Sequence, residues 1–201
     1  ALFSVSTLSA NIFITEIADP NGDEALRFVE LHNNGSADID LAAEGYKIQR
    51  WTNGNADPTA SSIKDLTGTI SAGGFYILVP GDGSAFQAAY GFAADQVIGN
   101  GGAADSNGDD QIAITNASGD IVDIFGVPGE DGSGTAHEFE DGRAERAAGV
   151  TSGSATWVAT EWNIDNDAGA GDGAITAPEG YDPGAWIGAT TQPTGTDVMF
   201  T

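Results

Sequence analysis

Between Asn11 and Ile48 the chain reads NIFITEIADPNGDEALRFVELHNNGSADIDLAAEGYKI, and this stretch restricts the fold more than any other. Three apolar runs, Ile12 to Ile17, Phe28 to Leu31 and Ile39 to Leu41, are separated by Asp-Pro-Asn-Gly and Asn-Asn-Gly. Short apolar runs divided by turn residues are the pattern of strands. The same grammar returns downstream. Tyr46 to Trp51 alternates, a polar loop runs from Thr52 to Ser62, and a strand near Leu66 to Ile70 leads through Ser71-Ala72-Gly73-Gly74 into the run Phe75 to Val79. That order predicts a hairpin with a buried second strand. Gln111 to Thr115 and Ile121 to Phe125, joined by Asn116-Ala117-Ser118-Gly119-Asp120, predict another. One short helix is expected, Ala85 to Tyr90, with Ser84 as its cap and Gly91 as its stop.

Two hundred and one residues make one all-β domain with decorated ends, and a chain of this length buries roughly 70% of its unfolded surface. No repeat of solenoid or propeller length runs through it. The absence of cysteine excludes disulfides and thiolate chemistry. Charge is the dominant global property, with a formal net charge of -24. Residues 1–100 carry 12 acidic and four basic side chains, and residues 101–201 carry 18 and two. A field of that sign repels phosphate backbones and anionic lipid, so nucleic-acid binding and membrane insertion are not expected.

The succession I-x-E-I, turn, F-V-E-L-x-N, turn, D-x-D-L and Gly-Tyr resembles the opening of a lamin tail domain. The I-x-I-x-N-x-x-G-x-I-V-D of residues 112–123 is similar to a later hairpin of that family. The resemblance spans about residues 11 to 126 and implies an immunoglobulin-like β-sandwich. Beyond it, AHEFEDGRAERAAGV and ATWVATEWNIDNDAGAGDG are similar to the tails of secreted bacterial versions, including modules joined to extracellular nucleases. These long Gly- and Asp-rich stretches are read as surface decoration. The expected division is a supernumerary N-terminal strand over residues 1–10, a sandwich over 11–190 and a C-terminal tail or strand over 191–201. The resemblance also implies an exported bacterial protein. The chain begins at Ala, has no long apolar run and no basic leader, as expected of a mature product after signal-peptide removal.

Catalytic chemistry lacks its parts. His32 and His137 are not in metal-protease spacing, and no nucleophile elbow or phosphate loop occurs. Glu16 and Glu30 lie on adjacent expected strands and form the one carboxylate pair, read as partners of backbone or basic groups before hydrolytic ones. Calcium takes carboxylate and loop-carbonyl oxygens, and three clusters offer them: Asp19, Asn21 and Asp23; Asp105, Asn107 and Asp109; and Asp165, Asp167 and Asp172. Neither of the first two has the Gly that an EF-hand needs at its sixth place; the third is the favoured cluster, because a Gly-rich loop has little reason to be ordered unless something neutralises its carboxylates. Arg143 and Arg146, among Glu138, Glu140, Asp141 and Glu145, are expected to act as an internal clamp on carboxylates or carbonyls. The four tryptophans, at 51, 157, 162 and 186, are expected to pack loops onto the sandwich.

The functional expectation is a non-catalytic extracellular structural or adhesive protein. Leu2, Phe3, Val5 and Leu8 would pair a terminal strand with neighbouring copies, giving a filament or surface layer. The alternative is a targeting or binding module of a secreted nuclease or phosphatase. Expected partners are other copies of the chain, with a cell-surface or polysaccharide ligand as a second kind.

Overall fold

The strands assemble into a six-stranded sheet facing a four-stranded one. In this computed structural model, residues 11–20, 23–166 and 180–189 are described. The larger sheet contains β1 (Ile12–Ala18), β2 (Phe28–Asn33), β7 (Phe75–Val79), β8 (Gln96–Val97), β11 (Arg143–Arg146) and β12 (Trp162–Asp165), in the order β12-β11-β1-β2-β7-β8. The smaller contains β4 (Lys47–Trp51), β5 (Lys64–Asp65), β9 (Gln111–Thr115) and β10 (Ile121–Phe125), in the order β10-β9-β4-β5. β3 (Ile39–Asp40) and β6 (Thr69–Ile70) pair separately. Pairing is antiparallel except between β7 and β8. This is the immunoglobulin-like sandwich expected from the sequence.

Ile12, Ile14, Ile17, Val29, Leu31, Leu78 and Ala144 pack inward against Ile48, Ile112, Ile114 and Phe125. Ile14 and Ile17 are three residues apart, which would put them on opposite faces of a regular strand. A register shift between Ile14 and Glu16 absorbs the odd residue, so both reach the core. On the other face of the sheet, Phe28, Ile77 and Val79 pack against Phe86 and Tyr90 of the helix α2 (Ser84–Tyr90). β1 and β2 are therefore buried along their whole length.

Four local expectations are corrected. Ser84 opens the helix rather than capping it: Asp82 Oδ1 accepts the Ser84 N–H at 3.0 Å and its hydroxyl at 2.7 Å. A second helix, α1 (Leu41–Glu44), forms where only strand and loop were expected, because Asp40 accepts the Ala43 N–H and Gly45 stops it at φ 71°. Residues 66–70 and 75–79 do not form a hairpin, since β6 pairs with β3 and β7 with β2. Asn33 braces the crossover, its Nδ2 donating to the carbonyls of Ile70 and Ser71 at 3.1 Å each. Finally, residues 143–146 and 162–165 are not surface decoration but strands of the main sheet. No helix among the described residues is long and apolar enough to cross a membrane.

Candidate functional site

The registers of β11, β1 and β2 place Glu145 opposite Glu16 and Glu16 opposite Glu30. Three carboxyl groups thus cross three strands in one row, each no more than 1% exposed. Arg143 Nη1 donates to Glu16 Oε1 at 2.9 Å and to Asp182 Oδ1 at 2.8 Å, and its Nη2 lies 3.7 Å from Glu145 Oε2. Glu30 accepts from the Thr15 hydroxyl and from the Gly184 N–H, both at 2.6 Å. Burial pushes Glu16 up to about 8, with Arg143 opposing and Asp182 and Glu145 reinforcing. Burial, then the charge of Glu16, holds Glu30 well above the usual carboxylate range, and burial also raises Glu145 against the pull of Arg143.

Segment 180–189 covers this row. The Ile187 N–H reaches Glu145 Oε1 at 3.4 Å, and Trp186, 2% exposed, lies edge-on to Phe13 with ring centroids 5.4 Å apart. Its indole N–H donates to the Arg146 carbonyl at 2.6 Å. The paired carboxylates are therefore sealed, held by a cation, backbone and a hydroxyl.

Arg146 turns inward from the same strand and joins the sheets. It is 1% exposed, donates to Asp123 Oδ2 of β10 at 2.5 Å, to the Ile14 carbonyl at 3.1 Å and to Glu161 Oε2 at 3.2 Å, and lies 4.0 Å from the Trp162 ring centroid. Asp123 also accepts the N–H groups of Ile14 and Ser154 at 2.8 and 2.9 Å. Ile14 thus finds side-chain partners for both backbone groups just beyond the residues of β1 that pair with β11.

A third network was not anticipated. Arg27 donates to Asp19 at 2.6 Å and to Asp105 at 3.0 Å, while Arg50 donates to the Asp105 carbonyl and to Asp110 Oδ2. Asn53 completes it, with its N–H on Asp110 and its side-chain amide on Asp109. Asp19 and Asp105, from two of the calcium clusters, thus share one arginine. Asn107 lies in the loop preceding β9, and Asp165 ends β12. Asn21, Asp167 and Asp172, like Leu2, Phe3, Val5 and Leu8, lie outside the described residues. Among the described residues no group of three or more His, Asp or Glu side chains is disposed to hold a metal ion. Burial pushes Asp109 up to about 6, reinforced by Asp110 and Asp131. The scarcity of basic residues is the signal that marks Arg27 and Arg50 as interior groups.

Both histidines are buried and held down by that burial: His32 Nδ1 lies 3.0 Å from the Gly74 carbonyl, and His137 Nδ1 lies 3.0 Å from the Thr135 hydroxyl. A shallow open groove of about 300 Å³ lies beside β12, between Ala136, Glu138, Trp162 and Ile164. Thr135, whose hydroxyl lies 3.0 Å from His137 Nδ1, is also on its lining.

Fold and site together define a class: an immunoglobulin-like sandwich whose buried charges fasten strands and sheets to one another. The model of the Lamin Tail Domain family matches residues 6–129, and the chain belongs to that family of binding and structural domains. No curated protein matches the chain. The family match ends before β11, so Arg143, Glu145, Arg146 and the covering segment lie beyond it.

Proposed function

We propose that this chain is a non-catalytic structural protein of the extracellular space that assembles with copies of itself through its terminal segments. The observation that carries the non-catalytic part is the closure over Glu16 and Glu30. Among the described residues, Glu16 and Glu30 are a carboxylate pair beneath Gly184 and Trp186, Glu16 held by Arg143 and Glu30 by Thr15 and Gly184, and this burial keeps a substrate bond from them. With both faces of β1 and β2 covered, contact with a partner falls to the rims of the sheets and to the ends of the chain. The alternation of Leu2, Phe3, Val5 and Leu8 suits a strand added to a neighbour's sheet, and a contact that does not close into a ring generates a filament. The extracellular setting rests on the resemblance to secreted bacterial members and on a charge of -24.

Size-exclusion chromatography and negative-stain microscopy of the full chain and of a version lacking residues 1–10 test the assembly. Assemblies from the full chain and monomers from the shortened one are expected. Two monomers of equal stability refute strand donation and leave the binding-module reading in its place.

A further inference from the structure

The outer face of the six-stranded sheet carries more acid than its surroundings hold in ionised form. Glu16, Glu30 and Glu145 stand in register, and Asp182 meets them from segment 180–189. Among the described residues, Arg143 is the one cation on the row, paired with Glu16, Glu145 and Asp182, while Glu30 has no cation beside it. A buried carboxyl without a matching cation keeps its proton, because desolvation penalises the ion far more than the acid. Hydrogen bonding makes the same demand. Glu16 Oε2 and Glu145 Oε2 are buried without a hydrogen-bond partner, and an ionised oxygen so placed lacks the donors it requires. Glu30 accepts on both oxygens, which favours its ion, but its burial and its place opposite Glu16 oppose that, and carboxyl groups so close titrate as a coupled set.

The covering segment is fastened to this row. Gly184 and Ile187 donate to Glu30 and Glu145, Asp182 shares Arg143 with Glu16, and Trp186 closes over Phe13 and His32. The other ionisable groups facing the row do not change charge in the same range. Tyr90 of α2 and Tyr181 of the segment are phenols pushed upward by burial, and His32 is held down by it.

We propose that the glutamate row is a proton-loaded latch, which keeps segment 180–189 on the sheet while it holds protons and releases the segment when it gives them up to solvent. Once ionised, three sheet carboxylates and Asp182 face one guanidinium. The sheet residues are fixed by their strands, so relief comes from the segment, whose departure removes Asp182 and admits water. Release uncovers Phe13 and His32, an aromatic strip available only on the alkaline side.

Fluorine NMR of the full chain carrying 5-fluorotryptophan reads the latch directly, with Trp186 assigned from Trp186→Phe. From about pH 6 to about pH 10, a window above the ordinary glutamate range and with both histidines lowered by burial, the Trp186 resonance is expected to move with a midpoint near 8. Far-UV circular dichroism is expected to stay constant, and Glu16→Gln to keep the resonance at its neutral-pH position throughout. A resonance that does not move, or that moves identically in Glu16→Gln and the unaltered chain, overturns the proposal. Should Glu16→Gln not fold, the carboxyl carbons of the glutamate-labelled unaltered chain decide. A protonated glutamate at pH 7 that titrates together with Trp186 supports the latch, and its absence sinks it.

Discussion

Replacing Arg146 with Met tests whether the two sheets depend on one guanidinium. The substitution keeps much of the side-chain volume but removes the hydrogen bonds to Asp123, Ile14 and Glu161 and the stacking on Trp162. What remains is the Asp123 carboxylate, fully buried, with two backbone N–H donors and no counter-ion. Breaking a buried pair from one side costs about 3 to 5 kcal/mol, mostly because the surviving charge stays in place. Against a total stability of about 5 to 15 kcal/mol this is a large fraction. At roughly 2 to 4 °C per kcal/mol for a chain of this size, melting falls by about 10 °C. The pH dependence distinguishes a stranded charge from simple loss of packing. Burial already raises Asp123 against the pull of Arg146, and without that pull it rises further. A carboxyl raised above its unfolded value contributes stability that is present at low pH and lost as pH rises through the folded value. The deficit of Arg146→Met, measured by urea unfolding against the unaltered chain, is therefore expected to shrink as pH falls from about 7 towards about 5. A loss under about 1 kcal/mol, or a deficit independent of pH, refutes the stranded-charge argument.

Other perturbations test separate parts of the structure. Gly108 sits at φ 101°, and a Cβ there would drive into the Glu140 backbone; Gly108→Ala is expected to cost more than about 2 kcal/mol in chemical denaturation. Phe86→Ala opens the apolar cluster between α2 and the sheet, with an expected loss of about 3 to 5 kcal/mol and earliest proteolytic cutting near the helix. Arg27→Gln leaves Asp19, 1% exposed, beside Asp105 without their shared cation; melting is expected to fall at neutral pH, and an unchanged melting temperature would show the bridge to be idle. The calcium proposal for Asp165, Asp167 and Asp172 predicts a higher melting temperature with the ion than with a chelator, abolished by Asp167→Asn, and coincident curves end it.

Legibility in this sequence follows the distance between a residue and its partner. β1, β2, β9 and β10 were readable because each is an apolar run beside its own turn, and their observed bounds fall within a residue or two of the expected ones. The meeting of Glu16 and Glu30 was readable for the same reason, since a turn brings neighbouring antiparallel strands together. β11 was not. Arg-Ala-Glu-Arg has the composition of a solvated loop, and it becomes a buried strand only because Glu16 and Ile14 wait 127 and 132 positions earlier. The closure of the row was equally hidden, since Gly184 lies 154 positions from Glu30. Scarcity of cations reaches across such distances where pattern does not. With four arginines among 30 acidic residues, each guanidinium gains most where solvent does not already serve the carboxylates, which is indoors. Arg143 and Arg146 stood out because acidic neighbours in sequence made that competition visible. Arg50 obeys the same rule without such neighbours and Arg27 obeys it between Asp23, Glu24 and Glu30, and both are at most 12% exposed at the side chain, while Lys47 pairs with Asp65 in the open. The fork of donors explains the division: one guanidinium serves two or three acceptors at once, whereas an ammonium remains better solvated by water.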